Sequence, residues 1–241
     1  EVVHCSCGYQ HDLREEVALG EQTRHGRFHN YLHRNGELYP IHGLGPMSKI
    51  LDINRGNRLV TLTSMASKAR GLNHWAAEKF GENDRLAKLN FTQGDIVTTI
   101  VKCAGGETIH IVHDTTLPRP YSRSTRVQGT KGLWVEDTLT IHIEGRSPAE
   151  EWESWDPYLE QYEHPIWKQY LKEGVRGGHE GVDYLTLRAF AESVRDRKQT
   201  PIDVYDTAVW MAITVLSEQS IALGSAAVAI PDFTKGKWII R

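Results

Sequence analysis

Alternation with a period of two runs through much of the first 143 residues. Val3, Cys5, Cys7 and Tyr9 fall on one face of a strand predicted over residues 1–10. A second strand is predicted over 58–67, where Leu59, Thr61 and Thr63 alternate with Val60, Leu62 and Ser64. Three β-rich segments follow at 95–103, 108–115 and 122–129. Ala104-Gly105-Gly106-Glu107 forms a hairpin turn between the first two, and Leu117-Pro118-Arg119-Pro120 interrupts the next connection. Residues 131–143 add two short strands around a turn. The pattern predicts an antiparallel meander of six or more strands in one open sheet.

Two stretches carry no sustained period. Residues 11–36 are polar and rich in His and Arg, which predicts a long excursion rather than a core element, and a second polar stretch runs from 68 to 93. A short helix is expected over about 46–54. Beyond residue 163 the period becomes helical, with helices predicted over 164–172, 181–198 and 204–223. The second carries Leu185, Leu187, Phe190 and Val194; the third opens at Pro201 and Asp203 and closes at Gly224. Three helices suffice to cover one face of a sheet, and residues 226–230 read as a last strand. The fold class is therefore α+β: an open, largely antiparallel β-sheet with helices packed on one face, in a single domain over residues 1–241.

Composition narrows the partners. With 241 residues, 39% hydrophobic and 24% charged, the chain can bury a substantial core. A net charge of −3 supplies no basic face for nucleic acid, and no run of eighteen apolar residues offers a membrane span. Cys5, Cys7 and Cys103 fit no metal-binding or paired framework and are expected as buried thiols. The acidic, aromatic stretch 150–163, with Trp152, Trp155, Tyr158 and Tyr162, reads as cover for a core edge ahead of a sugar-stacking platform. His110 and His142 sit in predicted strands, where a hydrogen-bonded structural role is the expectation. The chain starts in strand pattern with no basic or apolar leader, an expectation of a fragment that leaves the compartment unassigned.

The candidate chemistry centres on Tyr39-Pro40-Ile41-His42-Gly43-Leu44-Gly45-Pro46. Two prolines and two glycines in eight residues predict a rigid, irregular connection holding Tyr39 and His42 in set directions, with Pro46 in the first turn of the helix that follows. A capped turn whose Tyr and His bond only the backbone is the other reading. Arg24, Arg27 and Arg34 offer forked donors within the excursion. Neither Gly-x-Gly-x-x-Gly nor Gly-x-x-x-x-Gly-Lys-Ser/Thr occurs, nor do His-Glu-x-x-His and Gly-x-Ser-x-Gly, so the sequence encodes no phosphate-cradling loop and no metal ligand set by spacing.

Several blocks in order carry a family likeness. They are Cys7-Gly8-Tyr9-Gln10-His11-Asp12-Leu13-Arg14, Asn35-Gly36-Glu37-Leu38 running into the Tyr39 to Pro46 segment, and Asp52-Ile53-Asn54-Arg55-Gly56. His113-Asp114-Thr115-Thr116, Arg119-Pro120-Tyr121-Ser122-Arg123, Gly129-Thr130-Lys131-Gly132, Asp203-Val204-Tyr205-Asp206 and Pro231-Asp232-Phe233-Thr234 continue them. Across nearly its whole length the chain resembles glycoside hydrolase family 109, the NAD-dependent α-N-acetylgalactosaminidase-like members of the Gfo/Idh/MocA oxidoreductase superfamily. The resemblance implies a two-domain protein, with an N-terminal Rossmann domain holding NAD and a C-terminal open sheet supplying the sugar site. This chain matches the second part, so its cofactor contacts are expected outside it and the isolated chain is expected to be inactive. Tyr9, Arg27, Tyr39, Pro40, Ile41, His42 and Tyr121 match the family's substrate-contacting residues. The chain departs from the pattern at Ile41, where the family tends to have Thr, and at Gly26, where it has an aromatic. It departs again at His179-Glu180-Gly181-Val182-Asp183, where the family has His-Gly-Gly-Met-Asp.

What the resemblance implies chemically is a redox-assisted glycosidase. NAD⁺ removes hydride from sugar C3, the ketone acidifies the C2 proton, the C1 leaving group is eliminated and water adds back. Two proton acceptors are needed; His42 and Tyr39 are the candidates, with Tyr9 the alternative at C2, while Arg27 and Tyr121 orient the sugar. The expected partners are a sugar or glycoside, the chain's own Rossmann domain, and a second copy through the open sheet face. Two other readings stand beside this one: a sugar dehydrogenase of the same superfamily, and a non-catalytic sugar-binding and oligomerisation module.

Overall fold

The computed structural model describes residues 1–174 and 177–240. Among these, nine strands form one sheet: β1 (Val2–Gln10), β2 (Leu59–Ala66), β3 (Ile96–Cys103), β4 (Thr108–Asp114), β5 (Arg126–Gly129), β6 (Gly132–Val135), β7 (Thr140–Ile143), β8 (Glu153–Ser154) and β9 (Val228–Ala229). Their spatial order is β8-β7-β6-β5-β1-β4-β3-β2-β9. β1 is central and runs parallel to β4, from His4 opposite Thr108 to Gln10 opposite Asp114, while the other pairs are antiparallel. The sheet is thus largely antiparallel but mixed, and not the simple meander expected. Alternation marks each strand and leaves its neighbour unspecified, so a parallel partner about a hundred residues away is invisible to it.

The helices are α1 (Arg14–Ala18), α2 (Gly20–Thr23), α3 (Arg27–His33), α4 (Ile41–Ile50), α5 (Gly71–Phe80), α6 (Arg85–Lys88), α7 (Asp156–Tyr162), α8 (Pro165–Glu173), α9 (Val182–Asp196) and α10 (Val204–Ala222). One core lies between the sheet and the pair α4 and α10, and includes Cys5, Cys7, Leu44, Met47, Ile109, Ile111, Trp210 and Ile213. The opposite sheet face leaves Met65 and Ile100 exposed, so the helices cover one face. Asp203 caps α10 in a capping box with Asp206, and Arg55 clamps Asp206 with two bonds of 2.7 and 2.8 Å. Those contacts tie the loop after α4 to the start of α10.

A second core corrects the excursion expected over 11–36. Tyr9, Leu13, Val17, Phe28 and Tyr31 pack there with Leu72, Trp75, Ala76 and Phe91, so α1 to α3 and the supposed polar stretch 68–93 are core elements. Helices of four to seven residues are too short to display a repeated period, which is why pattern reading passes over them. The cover on the sheet also differs from expectation. Of the three late helices, α10 packs on it, whereas α9 leaves Leu187, Phe190 and Val194 in solvent.

Candidate functional site

The site sits where the outgoing end of β1 meets α4. Tyr39-Pro40 leads directly into helix: Pro40 is the N-cap, the Leu44 amide donates to its carbonyl at 2.8 Å, and Ile41 to Pro46 are helical. The irregular connection is therefore overturned, and Pro46 lies inside the helix, not in its first turn. The glycines serve close approach, not unusual backbone angles. A Cβ on Gly43 would lie 2.6 Å from the Cys7 Cβ and from the Gly8 nitrogen, so α4 rests on β1 at a spacing no larger residue permits. That contact places His42, in the first turn of α4, over the end of β1.

Four rings gather there. The Tyr9 ring lies 4.3 Å from His42, stacks on Tyr39 at 5.1 Å and meets Tyr121 edge-on at 6.2 Å; Tyr39 is 6.0 Å from His42. His42 Nδ1 is buried and has no hydrogen-bond partner among the described residues. Burial lowers the His42 pKa, and the charges of Arg123 and Arg27 lower it further, so its imidazole is neutral near pH 7. A neutral imidazole with a free ring nitrogen is a proton acceptor in waiting. Tyr9 is held as the phenol: burial raises its pKa, and Arg27 offsets part of the rise.

Arg27, the first residue of α3, donates from Nε to the Tyr39 hydroxyl at 2.6 Å and pairs with Glu16 through Nη1. Its guanidinium also lies over the Tyr39 ring, 4.9 Å from the centroid. Tyr39 thus accepts from a cation and keeps its own O–H to donate. Pro40 is buried, Ile41 is exposed at the rim, and half-exposed Tyr121 accepts from Arg123 Nε at 2.9 Å. The other two arginines of the excursion stand apart: Arg34 pairs with Glu218, and Arg24 is the left-handed cap of α2.

Sequence reasoning passed over His11, which bonds Tyr9 through Nδ1 at 3.3 Å, and over Glu16, Glu37 and His113. His113 had a readable signal, because it shares the core face of β4 with Ile109 and Ile111 by the period of two. The floor of rings, imidazoles and guanidinium suits a polyhydroxylated ligand. The strand-to-helix turn at Gln10-His11-Asp12-Leu13 has no glycine to bring backbone N–H groups against a pyrophosphate. Among the described residues no group of three or more His, Cys, Asp or Glu could hold a metal, and no helix is long and apolar enough to cross a membrane. The aromatic stretch 150–163 takes no part: Trp155 stacks on Trp134 at 5.4 Å, and Trp152 is exposed.

An open mixed sheet backed by helices on one face also occurs within solved dehydrogenase structures. Solved structures that share it include an inositol dehydrogenase homolog complexed with NAD⁺ from Azotobacter vinelandii, at TM-score 0.60 and 14% identity, covering 95% of this chain and 58% of that one. A levoglucosan dehydrogenase in complex with NADH and levoglucosan aligns at TM-score 0.58 and 13% identity, covering 97% of this chain and 60% of that one. The chain belongs to glycosyl hydrolase family 109, whose C-terminal domain matches residues 1–240. An alpha-N-acetylgalactosaminidase of Tannerella forsythia is 44% identical over 259 residues, covering 100% of this chain and 55% of that protein. A glycosyl hydrolase family 109 protein of Stenotrophomonas maltophilia (strain K279a) is 45% identical over 256 residues, covering 99% of this chain and 56% of that protein. The chain thus spans about half the length of the curated relatives it matches.

Proposed function

We propose that this chain supplies the sugar-binding and acid–base half of an NAD-dependent, redox-assisted glycosidase acting on N-acetylhexosaminides or related sugars. The observation that carries the reading is His42, whose buried Nδ1 has no hydrogen-bond partner among the described residues and whose ring lies 4.3 Å from Tyr9. NAD⁺, bound by a companion nucleotide-binding domain, would supply the hydride acceptor for sugar C3. His42 takes the proton of the C3 hydroxyl, for which an imidazole neutral near pH 7 is matched. Tyr39 or Tyr9 exchanges the proton at C2, next to the new carbonyl. Arg27 holds Tyr39 in place, and Tyr121 lines the sugar on the rim side. Alpha-N-acetylgalactosaminide is the first substrate to try, by analogy with the Tannerella forsythia relative.

The test is cleavage of a chromogenic α-N-acetylgalactosaminide by the full-length protein in D₂O. Aglycone release with deuterium at C2 of the product is the expected result. NADH formed stoichiometrically with sugar, without aglycone, would instead make the protein a sugar dehydrogenase. This chain alone, supplied with NAD⁺, is expected to show no turnover; a dissociation constant for NAD⁺ below ~100 μM, about −5.5 kcal/mol, would contradict that.

A further inference from the structure

Two groups beneath Tyr39 have no task in the reaction above. Glu37, just before α4, and His113, on the core face of β4, are both excluded from solvent. The His113 ring stacks on Tyr39 at 5.9 Å with 6° between planes. Glu37 Oε1 accepts the Tyr39 backbone N–H at 3.2 Å and stands 3.6 Å from His113 Nδ1. Each partner retains a buried polar atom with no hydrogen bond among the described residues, Oε2 of Glu37 and Nδ1 of His113. On its other side His113 Nε2 meets the Tyr31 hydroxyl at 3.0 Å and Thr115 Oγ1 at 3.4 Å, and Tyr31 and Thr115 bond each other. A carboxylate removed from water with one amide N–H for company is poorly compensated.

We propose that Glu37 and His113 are positioning residues for Tyr39: an uncharged pair, protonated carboxyl facing unprotonated imidazole, that braces Tyr39 by its backbone amide and by the face of its ring. The inference rests on the reading of Tyr39 as a site residue. Burial drives both groups toward neutrality. It pushes the Glu37 carboxyl up to about 8 against the pull of the Tyr39 amide, and His113 down to about 3 with the Arg27 charge adding to it. The hydrogen-bonded chain then has one consistent direction, His113 Nε2–H to the Tyr31 oxygen and Tyr31 O–H to Thr115, while the unprotonated Nδ1 faces the Glu37 carboxyl at 3.6 Å without a hydrogen bond between them. Other elements present Cys7 from β1, whose thiol burial and Glu37 together push up, and Tyr31 from α3, which burial holds as the phenol. From α10 come Ser217, which accepts the Glu37 N–H at 2.8 Å, and Glu218, beside Gly36 and paired with Arg34. None of these supplies a cation to Glu37, so its ionisation would set an uncompensated negative charge beneath Tyr39.

The experiment uses full-length wild type and the near-isosteric Glu37→Gln. Infrared difference spectra should show a protonated-carboxyl C=O band at neutral pH that Glu37→Gln removes and that wild type loses above pH 8. In kinetics, Glu37→Gln should flatten the alkaline fall of kcat relative to wild type, with KM unmoved. His113→Leu, which unseats the ring beneath Tyr39, should lower kcat by up to ~10²-fold, the scale of a displaced reacting group. Absence of the band, or an alkaline limb that Glu37→Gln leaves unchanged, overturns the proposal. The catalytic reading fails by a different result, turnover intact in His42→Ala, so the two failures are told apart.

Discussion

Phe28 and Phe190 are the same side chain with opposite surroundings. Phe28 is fully buried in the second core under the site, whereas Phe190 on α9 is 60% exposed. The contrast extends to whole regions. Around the site, contacts join residues far apart in sequence, Tyr31 to His113 and Glu37 to Ser217, and polar groups are enclosed. In the α8 and α9 region the ring contacts are local, Trp167 on Tyr170 and Tyr170 on Tyr184, and an apolar groove of about 570 Å³ lined by Ile166, Trp167, Leu185, Phe190 and Ile202 stays open. Apolar content alone therefore does not mark the working end of this chain. Enclosed polar groups held by distant segments are what set the proposed site apart, because holding such groups in place orients them.

The largest difference between the regions should appear in turnover. In the full-length protein, His42→Ala is expected to lower kcat by ~10²–10⁴-fold, the usual contribution of a general base. Tyr121→Phe should mainly raise KM, since a hydroxyl that only holds the sugar acts alike in ground and transition states. Substituting Trp167 or Phe190 should change neither constant. Steady-state kinetics on one glycoside, with circular dichroism as a check on folding, would reverse the assignment if Tyr121→Phe abolished kcat while His42→Ala spared it.

Stability sharpens the same contrast. Phe28→Ala is expected to destabilise by ~3–5 kcal/mol, through lost burial and the cavity left behind. Phe190→Ala should stay within about 0.5 kcal/mol, as substitutions away from packed features do. Urea unfolding of the two variants measures both. Comparable losses would mean that α9 is covered by something that binds its apolar stripe.

The two regions were also unequally legible in sequence. Strand and helix periods marked β1, β3, β4 and α10 because each repeats its pattern over seven residues or more. The first part of the second core escaped because helices α1 to α3 are short and their apolar residues, with Leu13, Val17, Phe28 and Tyr31 among them, are scattered among charges. α4 was misread for a chemical reason: Gly43, Gly45 and Pro46 look like turn residues, yet Gly43 is demanded by contact with Cys7 and Gly8. Tyr9, Tyr39, His42 and Arg27 were singled out together and the fold does bring them together. Glu37 could not be foreseen, since a carboxyl is read as surface until a structure shows it enclosed.

Buried titrations set the next effect, and its sign is specific. His113 has a folded pKa of about 3 against an ordinary 6.5, so its stabilising contribution is present above 6.5 and lost as pH falls toward 3. Glu37 has a folded pKa of about 8 against 4.5, so its contribution is present below 4.5 and lost as pH rises toward 8. Between 4.5 and 6.5 the two slopes oppose each other, which predicts a plateau flanked by a fall on either side. Thermal midpoints across this range should show the alkaline-side fall shrink in Glu37→Gln and the acid-side fall shrink in His113→Leu, each measured against its own plateau.

The smallest expected effect is the counterpart in the exposed region. His179 Nδ1, in the left-handed turn that leads into α9, lies 2.9 Å from Asp183 in the first turn of that helix, and its pKa is raised by that hydrogen bond and by the Asp183 charge. A raised histidine has the opposite sign to His113: its contribution is complete below the ordinary value of 6.5 and disappears as pH rises through the folded value. Both partners face solvent, so water and salt screen the pair and the whole-molecule midpoint should not register it. The effect belongs to the first turn of α9, where it favours helix over fraying. Amide exchange in that turn, corrected for the intrinsic rate, should gain protection on going from pH 8 to pH 6 in wild type and not in His179→Ala. A global midpoint that moved with His179→Ala as much as with His113→Leu would erase the distinction between the two regions, because it would mean that an exposed pair and an enclosed one carry equal weight in this fold.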